Sequence, residues 1–269
     1  MPTFKITLAY DGTSYVGWQR QATGTSVQGL IEDALRELDG RDVVLHGAGR
    51  TDAGVHALGQ VASCALDRAV EADVLLRALN ARLPADVRVV SAETVASDFH
   101  ARFTATAKTY RYRIYNGDVM SPFERRYAWH VFGALDVAAM DAAARSLEGR
   151  HDFSAFQTAA RTTRTTERTI MQSRVTRMKL FTEDTRAQTG FARVPGILRG
   201  GDLIVYEITG DGFLRHMVRA IVGTLVDIGR GRRPSEAMRE VLASRDRGRA
   251  GATAPAGGLF LVGVEYGDL

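Results

Sequence analysis

Phe4-Lys5-Ile6-Thr7-Leu8-Ala9-Tyr10 alternates apolar and smaller or polar side chains and then breaks at Asp11-Gly12. A period of two is the signature of a strand with one buried face, so this stretch predicts a half-buried β-strand ending in a turn. The next signal has a different period. Thr25-Ser26-Val27-Gln28 reads as a capping box, and Val27, Leu30, Ile31, Ala34, Leu35 and Leu38 then make one helical stripe that stops at Asp39-Gly40. Short strands are expected at about 42–46 and 57–65, a helix near 71–82 before Leu83-Pro84, and a further strand through Val87, Val89 and Val95. The order is βαββαβ.

The second half repeats that order. Thr109 to Tyr115 alternates as a strand, and Asp136 opens a helix over 136–147. Strands are expected at about 168–180 and 202–210. Leu214, Met217, Val218, Ile221, Leu225 and Ile228 form a helical stripe stopped by Gly229. Ser235 to Ala243 reads as a short extra helix and Leu259 to Tyr266 as a closing strand. The expectation is an α+β fold of two ferredoxin- or RRM-like βαββαβ halves, 1–104 and 105–269. They are expected to share a mixed, mainly antiparallel sheet around a central basic cleft. The duplication is one of element order, without a residue-level repeat. Glu183 to Gly201, rich in Gly, Arg and Thr, reads as an inserted loop.

Between two strands of the first half lies Gly47-Ala48-Gly49-Arg50-Thr51-Asp52-Ala53-Gly54-Val55-His56-Ala57. It is too glycine-rich for regular structure, and its small residues let a planar substrate approach the backbone. Arg50 can keep the Asp52 carboxylate ionised and oriented, and an ionised, accessible carboxylate is a nucleophile or a base. The plain alternative is a tight turn in which Asp52 bonds its own backbone and Arg50 faces water. Gly47 and Gly49 open a G-x-G, but the third glycine of a dinucleotide fingerprint would fall on Asp52, whose charge repels a pyrophosphate. No Gly-Lys-Ser/Thr follows, which excludes a P-loop.

Composition narrows the class. The chain has 269 residues, 45% hydrophobic and 25% charged, as in ordinary globular proteins. No apolar run reaches bilayer-spanning length and Met1-Pro2-Thr3-Phe4-Lys5 lacks a signal-peptide core, so the expected place is the cytoplasm, with no membrane partner. Cys64 is the sole cysteine, which excludes an internal disulfide and a thiolate zinc cluster. The net charge of +4 is modest but unevenly placed. Arg161, Arg164, Arg168, Arg174, Arg177 and Lys179 stand against a lone Glu167. Arg102, Lys108, Arg111 and Arg113 are interleaved with Phe99, Phe103, Tyr110, Tyr112 and Tyr115. Arginine mixed with aromatics suits phosphates and unpaired bases, although a solvated strand face gives the same pattern.

Several motifs, taken together and in order, resemble the tRNA pseudouridine synthase A family. They are Tyr10-Asp11-Gly12, Gly17-Trp18-Gln19-Arg20-Gln21, Gly49-Arg50-Thr51-Asp52-Ala53-Gly54-Val55-His56 and Asp98-Phe99-His100-Ala101-Arg102-Phe103. Tyr110-Arg111-Tyr112, Phe213-Leu214-Arg215-His216-Met217-Val218-Arg219 and Gly258-Leu259-Phe260-Leu261-Val262 continue the match, which runs from about 5 to 266. The 183–201 insertion is the main departure. The resemblance implies uridine isomerisation at positions 38, 39 and 40 of the tRNA anticodon stem-loop, by a homodimer that needs no cofactor and no metal. It implies that Asp52 is the essential residue and that Arg50 pairs with it and takes the place of the extruded base. Tyr110 would stack on the uracil and Leu259 would line its pocket. Phe99, His100, Ala101, Arg102 and Phe103, with Ala160, Arg161, Thr162, Thr163 and Arg164, would touch tRNA; Arg168, Arg215, His216 and Arg219 are further candidate contacts.

Other residues carry less. His46 and His56 flank the loop without a carboxylate or cysteine at zinc-ligand spacing, and Trp18 reads as packed under the first strand. The competing class is a non-catalytic RNA-binding protein with two RRM-like halves, but Arg-Thr-Asp-Ala-Gly-Val-His is not an RRM aromatic motif. An aspartate-dependent phosphatase would want several carboxylates for magnesium, and the loop offers Asp52 alone.

Overall fold

The computed structural model describes residues 1–158, 165–179 and 201–267. The chain divides into two compact units, Met1–Tyr110 with Phe260–Leu269, and Arg111–Leu259.

In the first unit the expected strand is β1, Thr3–Tyr10, with Phe4, Ile6 and Leu8 fully buried. It lies between two antiparallel neighbours, β3 (His56–Ala65) and β4 (Val87–Val95). Both ladders slip near the end of β1, between Leu8 and Tyr10 against β3 and between Thr7 and Leu8 against β4. Such irregularities add local twist and re-aim side chains, here at the end that carries Tyr10. The strand expected at 42–46 shrinks to the two-residue β2, His46–Gly47, antiparallel to β3. Val43 and Leu45 are still buried, so their apolar character reports packing and not ladder bonding. β10 (Leu259–Tyr266) runs parallel to β3, with Phe260 opposite His56 and Leu261 opposite Ala57.

Helix α1, Val27–Asp39, buries Val27, Ile31, Ala34 and Leu35 and ends at Gly40. Its cap differs from the capping box expected with Thr25. Ser26 is the N-cap, its hydroxyl accepting the Gly29 N–H at 3.1 Å, and Gln28 does not reach back to close a box. The Gln28 amide instead donates to the Leu45 carbonyl and to Glu32, a long-range use that local spacing does not show. Helix α2, Ala72–Asn80, packs on β4.

In the second unit β5 (Ala105–Asn116), which begins in the first unit, neighbours β9 (Asp202–Gly210). β9 pairs antiparallel with β8 (Glu167–Lys179), and β8 with the edge strand β7 (Gly149–Asp152). β6 (Trp129–His130) adds a short parallel pairing to β5. β6 and β7 have no counterpart in the sequence expectation. Asp136 caps α3 (Val137–Arg145) as expected, accepting the Ala139 N–H at 2.9 Å. α4, Met217–Gly229, starts three residues after Leu214 and is buried nearly all round, as a central helix must be. α5 is Ala237–Ser244. The class is α+β with mainly antiparallel pairing, as expected. The 183–200 part of the expected insertion lies outside the described residues. No helix among those described is long and apolar enough to cross a membrane.

Several tyrosine hydroxyls are buried and hydrogen-bonded: Tyr10 with Thr51 and Gln60, Tyr112 with the Pro255 carbonyl, and Tyr206 with Ser173. Burial disfavours the phenolate, pushing Tyr10 up from 10.0 to about 12 and Tyr112 and Tyr206 above the usual tyrosine range. A folded-state pKa above the unfolded value means that this stability is complete below pH 10 and is lost as pH rises towards 12. The expected outcome is alkaline unfolding beginning above pH 10, with phenolate absorbance and far-ultraviolet circular dichroism changing together. Tyrosines that ionise freely near pH 10 in a fully folded protein would contradict it.

Candidate active site

A loop with so few side chains of its own has to be held by its neighbours. Ala48 donates its N–H to the Val61 carbonyl at 2.7 Å, and the fully buried Gln60 amide donates to the Gly49 carbonyl at 2.8 Å. The Thr51 hydroxyl meets the Tyr10 hydroxyl at 2.8 Å in a buried contact. The Thr51 carbonyl accepts the Trp18 N–H at 3.0 Å, and Gly17 forms an isolated antiparallel bridge with Asp52. The Val55 N–H closes a turn on the Asp52 carbonyl at 3.1 Å. His56, 1% exposed, ends the loop: its Nδ1 accepts the Gly12 N–H at 3.0 Å and its ring lies on Phe260. The residue is a structural clip.

Two glycines allow this close approach. Gly17 has φ of +111°, and a Cβ there would stand 2.6 Å from the Thr51 carbonyl oxygen. A Cβ on Gly47 would stand 2.4 Å from Nε1 of Trp18. Trp18 is packed, as its position suggested, and its ring stacks on Tyr10 with centroids 6.2 Å apart.

The outcome is a half-buried Asp52 on a loop fixed from both sides. Tyr110 on β5 is buried, and the loop packs over its hydroxyl: a Cβ on Gly49 would lie 3.8 Å from that oxygen. Burial pushes the Tyr110 pKa above the ordinary range, and Tyr10 and the Asp52 carboxylate add to the shift. Asp52 and Tyr110 therefore share one electrostatic environment, and Tyr110 holds its proton at neutral pH. Arg50 is exposed, and among the described residues no ion pair joins it to Asp52. Backbone bonds together with the Gln60 amide and the Tyr10 and Thr51 hydroxyls hold the loop that carries the carboxylate.

The segment expected to touch tRNA splits in two. Phe99 (5% exposed) and Ala101 are core residues, packed with Ala48 and Val61. Arg102 is exposed, His100 half-buried, and Phe103 exposes 75% of its surface. In the second unit Arg215 is exposed and Arg168 half-buried. Arg219 donates from Nε to the Ala254 carbonyl at 2.7 Å, and His216, held at φ +61°, meets the Thr158 hydroxyl at 2.7 Å. Both therefore have structural partners. Leu259 is buried at the start of β10. Ala160, Arg161, Thr162, Thr163 and Arg164 lie outside the described residues. Sequence reasoning assigned no role to Tyr10, Thr51 or Gln60. The signal available was that a glycine-rich loop needs anchors and that Tyr10 ends the neighbouring strand.

A half-buried carboxylate on a braced loop beside a buried phenol suits chemistry on a flat ring, and sequence kinship defines the class. The chain belongs to the tRNA pseudouridine synthase family, whose sequence model matches residues 6–104 and 143–267. Three relatives bear the name tRNA pseudouridine synthase A. That of Moorella thermoacetica is 46% identical over 268 residues, covering 99% of this chain and 100% of its own. That of Myxococcus xanthus is 45% identical over 268 residues (100% and 93%), and that of Solidesulfovibrio magneticus 45% over 273 residues (99% and 92%).

Gly17→Ala tests the bracing directly. It adds a Cβ against the Thr51 carbonyl at an unfavourable φ, for an expected loss of about 1–3 kcal/mol. Thermal unfolding should report the loss, and hydrogen exchange should quicken at the Trp18 and Val55 amides. Unchanged exchange at both would contradict the bracing described.

Proposed function

We propose that this chain isomerises uridine to pseudouridine in the anticodon stem-loop of tRNAs, at positions 38, 39 and 40, with Asp52 as the reacting carboxylate. The observation that carries the reading is the placement of Asp52: half-exposed, on a braced loop, beside the buried phenol of Tyr110 in a chain of this family. The reaction breaks the bond from uracil N1 to the sugar C1′, turns the base, and joins C5 to the same carbon, while C5 gives up its proton and N1 takes one up. No electrons are exchanged with an outside partner, so the reading includes no cofactor and no metal. The carboxylate adds to uracil C6, adds to C1′, or takes the 2′ proton of the sugar. All three routes need it ionised, accessible and fixed.

The target base has to leave the helix first, at a cost of about a few kcal/mol. Arg50, exposed beside Asp52 in sequence, fills the space the base vacates and bonds its orphaned partner. Tyr110 supplies the ring on which the extruded uracil stacks, with its hydroxyl kept as a donor. Leu259 lines the uracil pocket. Arg102, Phe103, Arg168 and Arg215, with the stretch Ala160 to Arg164, contribute the tRNA surface. The reading includes a cytoplasmic homodimer.

Asp52→Asn keeps the shape and removes the reacting oxygen. Tritium release from tRNA labelled at uracil C5 should fall to background while tRNA binding stays within about twofold of the parent. A substantial rate in this variant, with deamidation excluded by mass spectrometry, would overturn the proposal. Arg50→Ala is expected to lose at least about 100-fold in kcat/KM while Asp52 keeps its place, since the extruded state loses its support. An Arg50→Ala enzyme with parental kcat/KM would remove Arg50 from the reaction.

A further inference from the structure

The turn at 99–104 is pinned from beneath with unusual completeness. Phe99 and Ala101 are buried in the core. The Ala101 N–H donates to the Ser63 hydroxyl at 3.1 Å, and its carbonyl accepts the Tyr266 hydroxyl at 2.8 Å. The Thr104 hydroxyl donates to the His100 carbonyl at 2.7 Å. His100 Nδ1 accepts the Arg102 N–H at 3.1 Å, which leaves Nε2 to carry the proton of the neutral ring.

Above this footing stands a column of three rings. The exposed His46 ring lies 4.6 Å from His100, centroid to centroid, with the planes 32° apart. His100 lies 4.3 Å from Phe103 at 37°. Phe103 presents most of its ring to solvent, and the Arg102 guanidinium carbon is 5.6 Å from its centroid. What sets Phe103 apart from a merely exposed ring is its company: His100 packs on one side and the Arg102 guanidinium stands beside it. Fixed aromatic faces with an arginine alongside are what an unpaired nucleobase binds, because every base has a π-face and brings its own phosphate.

We infer that His46, His100 and Phe103 form a stacking platform for one unpaired nucleotide of the substrate loop other than the isomerised uridine, with Arg102 on its phosphate. This rests on the reading of the chain as a tRNA-modifying enzyme. It adds His46, which belongs to neither the Asp52 loop nor the 99–103 stretch, and it gives the two exposed residues of that stretch separate tasks. His46 immediately precedes Gly47, where the Asp52 loop begins, so β2 serves both the platform and the loop.

The test uses the full-length protein and an anticodon stem-loop hairpin carrying 2-aminopurine at one loop position at a time. At one position the fluorescence should be quenched on binding. Phe103→Leu should abolish that quench and weaken binding about tenfold, without changing the salt slope. Phe103→Tyr, which keeps a ring, should restore both. His46→Ala should reduce the quench and His46→Phe recover it. Arg102→Ala should lower the salt slope by about one phosphate and leave the quench in place. If Phe103→Leu and His46→Ala bind and quench like the parent, the rings serve only to fold the turn and the inference fails. Should the parent bind with the quench but release no tritium from C5-labelled tRNA, the isomerase reading fails and the platform stands.

Discussion

The buried contact between the hydroxyls of Tyr10 and Thr51 is the constraint on which the rest depends. The loop around Asp52 has too little side chain to pack itself, so its geometry is borrowed from the end of β1. One buried hydrogen bond contributes only about 0.5–1.5 kcal/mol net, but leaving either hydroxyl buried without a partner costs more than that. The contact is thus a device for register. It is reinforced by the Trp18 N–H on the Thr51 carbonyl and by the Gln60 amide on Gly49, so the loop cannot shift without unsatisfying several buried groups at once.

That arrangement explains the division of labour in the first unit. Backbone bonds and neutral side chains contribute to fixing the Asp52 loop, and Arg50 is exposed. The two ladder slips of β1 fall where the strand must turn Tyr10 toward the loop. Tyr110 is sunk under the same loop, and its burial disfavours the phenolate. The 99–104 turn follows the same plan, with backbone and small residues locked below and exposed rings above. In both places the fixed groups lie beneath and the less buried ones above.

Much of this was legible before any coordinates, wherever a period repeats often enough to be read. The alternation from Phe4 to Tyr10 and the stripe from Val27 to Leu38 correspond to β1 and α1. Elements of two residues, such as β2 and β6, have no period and were invisible or misjudged in length. The helix cap was displaced by one residue because Thr25 and Ser26 both offer a hydroxyl, and the choice falls with Gln28, whose amide reaches Leu45. Which of Phe99 and Phe103 faces the core is decided by Tyr266 and Val61, far away in sequence. The Arg50–Asp52 spacing suggests a pair, while the structure shows an exposed Arg50 and a half-buried Asp52.

The most direct measurement is a structure of the enzyme with an anticodon stem-loop carrying 5-fluorouridine at the target position. The account predicts the fluorinated ring out of the helix and stacked on Tyr110, with an Asp52 oxygen bonded to the nucleotide or within about 3–3.5 Å of it. It also predicts Arg50 in the space the base has left. A flipped ring seated away from Asp52, or a bound hairpin whose target base stays stacked in the stem while turnover proceeds, would contradict it.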